Sequence, residues 1–142
     1  MFEWKKKYSC NIQIIDDEHK KLFDIGQAIY DLALHKQYVD YYDRILDLID
    51  ELKEYTVYHF SDEEKVMRLY EYPNFDNHKK IHEDFIEKIE NINLNHVDDD
   101  QQKAIIQLLD FIYIWIDGHI LGQDLKVRDY FENLKNGIDF TR

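Results

Sequence analysis

Apolar positions along the chain recur with alternating steps of three and four, the spacing of the buried face of a helix. In the first segment the seam runs Ile15, His19, Leu22, Gly26, Ile29, Ala33, and Asp16 is positioned as its N-cap with Asp17 and Glu18 in the first turn. The second seam runs Ile45, Ile49, Leu52, Thr56, His59, Glu63. The third opens after Pro73 and reads Phe75, His78, His82, Phe85, Ile89, Ile92, fading into an Asn-rich stretch over 91–95. The fourth follows Asp98, Asp99 and Asp100 and reads Ile105, Leu108, Ile112, Trp115, His119. Connections of about 5–10 residues join antiparallel neighbours, so the pattern predicts an all-α, antiparallel up-down-up-down four-helix bundle. A short N-terminal arm over 1–14 and a C-terminal tail over 125–142 are expected outside it, and residues 1–142 read as a single domain.

Composition agrees with helices. Hydrophobic residues make up 44% and aromatics 15%, whereas four Gly and one Pro supply little of the turn chemistry that many short strands need. A formal charge of −12, from 18 Lys+Arg against 30 Asp+Glu, repels nucleic acid and anionic lipid surfaces, so neither is expected as a partner. Two divalent cations would bring −12 to about −8, so part of the acidity has a use in metal binding. Cys10 is the single cysteine, which leaves no intramolecular disulfide and no Cys-based zinc site. The N-terminus lacks the apolar run of a signal peptide, and the stretch over 105–116 is interrupted by Gln107 and Asp110. A soluble, monomeric, cytoplasmic protein is the expectation.

Each seam is apolar except at His19, at His59 with Glu63, at His78 with His82, and at His119. One histidine on a core stripe is most often a structural residue; five together demand a common partner. Unpaired buried imidazoles and carboxylates cost on the order of kilocalories each, against a net stability of about 5–15 kcal/mol for a domain. A metal is such a partner, and the i,i+4 pairs His59/Glu63 and His78/His82 each project from one helix face about one turn apart. Asp124 is the seventh candidate, although five residues from His119 turn it about 140° off that face in a regular helix. It converges only if the helix ends or bulges there, and Gly118 and Gly122 weaken the helix at this place. His35 and His96 sit in polar connections and read as solvent-facing, Lys5, Lys6 and Lys7 as a solvated run, and Cys10 as a buried or inert thiol.

These residues resemble the hemerythrin family, in particular its single-domain bacterial members, the bacteriohemerythrins. The resemblance runs from Trp4 through Ile15-Asp16-x-x-His19, then His59-Phe60-x-x-Glu63-Glu64 with Met67 and Tyr72-Pro73. It continues with His78-x-x-x-His82 and Phe85, and ends at Trp115-Ile116-x-x-His119-Ile120-x-x-x-Asp124. It implies two iron ions in an oxo- or hydroxo-bridged di-iron centre: His78, His82 and His119 on one, His19 and His59 on the other, Glu63 and Asp124 bridging. Counting donors on that basis leaves one position open, for dioxygen, beside His19 and His59. The resemblance further implies an apolar oxygen pocket made of Leu22, Phe60, Trp115, Ile116 and Ile120. Glu18 departs from the glutamine common before the first ligand histidine, which puts the hydrogen bonding around that histidine in question. The function implied is reversible dioxygen binding for storage, transport or delivery, without enzymatic turnover. The alternatives are a sensor acting through a separate partner, and an enzyme reducing peroxide or nitric oxide at the same centre.

Overall fold

The structure is a computed structural model and describes residues 1–34, 41–91 and 101–136. Four long helices follow the four seams: α1 (Gln13–Leu34), α2 (Tyr41–Leu69), α3 (Phe75–Glu90) and α4 (Gln101–His119). They form a four-helix bundle in which α1 packs along α2 and α4, and α2 also packs against α3. No strand occurs among the described residues. The seam residues Leu22, Ile29, Ile45, Ile49, Leu52, Phe85, Ile89, Ile105, Leu108 and Ile112 are buried together in one apolar core. His35 and His96 fall outside the described residues.

Three expectations are corrected. The segment after Asp124 is helical rather than a tail: α5 (Leu125–Asn136) continues the line of α4 through a π-helical turn, Ile120–Asp124. Val127 on α5 is buried against Met67 and Tyr72, with Phe75, Tyr130 and Phe131 packed around them, so α5 covers the end of the bundle. The N-terminal arm also lies on the bundle rather than outside it, because Phe2, Tyr8 and Cys10 are buried. The Phe2 N–H donates to Gln27 Oε1 at 2.9 Å, and the Tyr8 hydroxyl donates to Asp117. The Phe2 ring occupies the space that a side chain at position 26 would fill: a Cβ on Gly26 would stand 2.6 Å from it. Finally, Asp16 is not the N-cap of α1. The helix starts three residues earlier, and the Asp16 carboxylate instead accepts the Cys10 N–H and the Ser9 hydroxyl, each at 2.7 Å, tying the arm to α1.

The helix running through residues Lys103–Leu134 is long and apolar enough, by length and composition, to cross a membrane. Its buried face (Ile105, Leu108, Leu109, Ile112, Ile116, Ile120) is part of the core, and it carries the buried His119 and Asp124. In this fold it is a core helix of the bundle.

Candidate metal centre

All seven expected residues meet in the middle of the bundle, and each is at most 6% exposed. α1 contributes His19, α2 contributes His59 and Glu63, α3 contributes His78 and His82, and α4 contributes His119. Asp124 closes the π turn, in which the Leu125 N–H bonds to the Ile120 carbonyl five residues back. That extra residue per turn lowers the rotation per residue and brings Asp124 round to the face of His119. The five-residue spacing, anomalous for an α-helix, is therefore the local fold. Gly118 and Gly122 have open space where a Cβ would stand, so they ease the distortion without being sterically required.

Donor atoms cluster in two sets that share both carboxylates. Glu63, His78, His82, His119 and Asp124 form one, and His19, His59, Glu63 and Asp124 the other, all within 4.8 Å inside each set. In the first set His119 Nε2 lies 3.0 Å from His82 Nε2 and 3.2 Å from His78 Nε2. Two donors held about 2.1 Å from one ion at right angles stand about 3.0 Å apart, so this spacing suits adjacent corners of a coordination octahedron. His78 Nε2 is 2.8 Å from Glu63 Oε1 and 3.1 Å from Asp124 Oδ1. In the second set His19 Nε2 is 3.2 Å from Asp124 Oδ2, and His59 Nε2 is 3.3 Å from Glu63 Oε2.

The contacts to the two carboxylates are close but poorly directed as hydrogen bonds. All four oxygens of Glu63 and Asp124 are buried without a hydrogen-bond partner, as are both ring nitrogens of His19. Orphaned buried acceptors cost free energy individually and are rare in folded proteins. Here the lone pairs converge on shared points instead of on N–H groups, which is what a pair of cations requires. The donor set, five imidazoles and two carboxylates, suits a divalent transition metal. The residues present fit a di-iron centre.

The electrostatics agree. Burial alone would raise the Glu63 carboxyl, but His59, His78 and His82 outweigh it and hold Glu63 well below the usual carboxylate range. Asp124 is likewise held low, with His119 and its neighbours overcoming burial and the charge of Glu63. Burial pushes His59 down, yet Glu18 and Glu63 lift it to about 9, and Asp124 and Glu63 do the same for His78. Without metal, therefore, two fixed anions are balanced by protons on His59 and His78. His119 is the exception: burial dominates and lowers it.

A second layer of carboxylates fixes the rings, and the sequence reading missed its partners. His59 Nδ1 is 2.8 Å from Glu18 Oε1, and His82 Nδ1 is 2.8 Å from Glu64 Oε2. Each donor set thus has one histidine whose far nitrogen is held by an anion, which fixes its tautomer and strengthens it as a ligand. Glu18 therefore supplies the bond that its departure from glutamine put in question, and it does so toward His59 rather than His19. In sequence, the Glu directly beside His19 and the Glu-Glu pair at 63–64 were the only signals.

Against His19, His59 and His119 lies a void of about 10 Å³, at the lower limit for holding one water. Leu22, Phe60, Trp115, Ile116 and Ile120 all line it, as does Thr56. The Thr56 hydroxyl donates to its own helix at Leu52 O, 2.7 Å away, so the wall is effectively apolar. Aromatic stacking braces it: Phe60 lies flat on His82 (3.8 Å, 2°) and Trp115 on His119 (4.5 Å, 11°).

Comparison with known proteins gives the same reading. Residues 10–130 match the family model described as the hemerythrin HHE cation binding domain. The chain is 44% identical to a bacteriohemerythrin of Clostridium acetobutylicum over 93% of this chain and 100% of that one. It is 32% identical to a bacteriohemerythrin of Campylobacter jejuni over 90% and 93% of the two chains. It is 28% identical to a myohemerythrin of Theromyzon tessulatum over 89% and 91%. With the bundle, the paired donor sets and this coverage in agreement, the chain belongs to the hemerythrin family.

Proposed function

We propose that this protein binds dioxygen reversibly at a di-iron centre, for storage, transport or delivery, without consuming a substrate. The observation that carries the reading is the pair of donor sets sharing Glu63 and Asp124, with an apolar-walled void against His19 and His59. His78, His82 and His119 would hold one iron, His19 and His59 the other, and both carboxylates would bridge. When bound, the iron pair would supply the two electrons by which dioxygen is held.

The chain's own residues do the rest. Glu18 and Glu64 hold His59 and His82 in the tautomer that presents Nε2 inward. Leu22, Phe60, Ile116 and Ile120 are each at most 4% exposed and keep water and its protons from the void, which favours release of dioxygen intact. Five neutral ligands against two anions stabilise high oxidation states of iron less than a carboxylate-dominated site does, which supports a carrier over an oxidant. Among the described residues, no further unengaged acid faces the void to deliver protons to a substrate. The buried free thiol of Cys10 fits a reducing compartment, and we infer a cytoplasmic location.

The test is optical. Protein loaded anaerobically with ferrous iron is exposed to air and then purged. Charge-transfer absorption that appears and fades over repeated cycles is expected. Absorption that never appears, or sustained consumption of peroxide or nitric oxide lost in His59→Ala, sinks the carrier reading.

A further inference from the structure

A second cavity, about 340 Å³, opens between the N-terminal arm, the end of α2 and α5. Its walls include Cys10, Ile12, Val66, Tyr70 and Phe131, with Arg128 among them. The volume is at the lower end of the range for organic-ligand pockets and far above what dioxygen needs. The walls are mostly apolar, and the polar groups at the rim are unequal in what they leave available. Glu132 is engaged by the Asn11 side-chain amide, a bond that closes the rim between arm and α5. Among the described residues, Arg128 spends Nε and one terminal nitrogen, both on Asp129 Oδ1 at 3.1 and 3.0 Å. A guanidinium has five N–H donors, so one terminal NH₂ remains for a ligand oxygen.

The position of the cavity gives it consequence. Val66 lies one helical turn beyond Glu63, and Arg128 one turn beyond Asp124. Cys10, Ile12 and Val66 also line a small inner void that reaches Glu63 and Asp124 themselves. The cavity thus backs onto both carboxylates shared by the donor sets, on a side distinct from the apolar void beside His59.

We propose that this cavity binds a small organic anion with an apolar body, its carboxylate on Arg128 and its chain along Ile12, Val66, Tyr70 and Phe131. The test is calorimetric titration of the full iron-loaded chain with decanoate, and with 1-decanol as the uncharged counterpart. Saturable binding of one decanoate per chain is expected. Arg128→Gln should weaken decanoate about tenfold while leaving decanol unchanged, and Ile12→Trp, which narrows the cavity, should weaken both. Circular dichroism and iron content keep a misfolded variant from being mistaken for a lost site. Absence of saturable binding, binding indifferent to Ile12→Trp, or equal losses of decanoate and decanol in Arg128→Gln would overturn the proposal. So would sedimentation showing that decanoate splits a dimer, since the occupant would then be a second copy of the chain. The titration reads the cavity alone, so its failure leaves the di-iron reading standing, and the reverse holds for the optical test.

Discussion

Glu18 offers the sharpest test of how the protein tunes its centre. The residue is 4% exposed and sits 2.8 Å from His59 Nδ1; burial raises its carboxyl, as does Asp62, while His59 opposes them. A hydrogen bond to a charged group contributes about 1.5–3 kcal/mol, and a neutral one about 0.5–1.5. Glu18→Gln keeps an acceptor but loses the charge, a difference of about 1–1.5 kcal/mol, or roughly tenfold in affinity for the ion held by His19 and His59. Glu18→Ala leaves a buried N–H without an acceptor, at about 1–3 kcal/mol, and should weaken that ion by up to about a hundredfold. Anaerobic competition with a coloured ferrous chelator measures this. The expected trace is biphasic in the variants: one ion leaves early while the ion on His78, His82 and His119 is held as in the parent. If Glu18→Gln matches the parent, or both ions loosen to the same extent, the argument that Glu18 acts through His59 is wrong.

What was legible in the sequence, and what was not, separates by the physical origin of each signal. Helix seams come from burying one face, so Ile45, Ile49 and Leu52 or Phe85 and Ile89 located α2 and α3 without reference to the rest of the chain. The donors were legible because a polar residue on such a seam conflicts with its surroundings. Asp124 shows the method at its limit: five-residue spacing implied a helix end or a bulge, and the π turn is the second of these. Gly118 and Gly122 weaken a helix at this place, and a tail is expected after Asp124. A π turn does not interrupt backbone hydrogen bonding, however, and α5 runs on. The start of α1 was misplaced because Asp16 has the chemistry of a cap, while its actual partners, Cys10 and Ser9, belong to a turn only the fold brings near. Glu64 stands in the motif without a legible role, because that role is defined by His82, on another helix.

Further outcomes are expected. Because His59 and His78 are raised to about 9 without metal, the stability their protonated forms confer is present below about pH 6.5 and lost as pH rises through about 9. Metal-free protein should therefore lose melting temperature from pH 6.5 to 9.5 while loaded protein does not, and a gap that stays constant would contradict this. For the same reason iron uptake at pH 7.5 should release protons, measurable in weak buffer. Gly26→Ala drives a methyl against the Phe2 ring and should destabilise by about 1–3 kcal/mol in urea. Combined with Phe2→Ala it should cost less than the sum of the two single changes, and strict additivity would show that the contact is not the cause. Ile120→Ser places a hydroxyl in the wall of the apolar void and should speed loss of the oxygenated colour severalfold, with stopped-flow decay as the readout. An unchanged decay would remove the water-exclusion argument.

The central claim is that one buried cage holds two metal ions by sharing two carboxylates. Diffraction from crystals of the iron-loaded protein, collected on either side of the iron absorption edge, tests it directly. Two anomalous peaks per chain are predicted, one against His78, His82 and His119, the other against His19 and His59, both touching Glu63 and Asp124. A single peak, or iron bound away from these residues, would contradict the account.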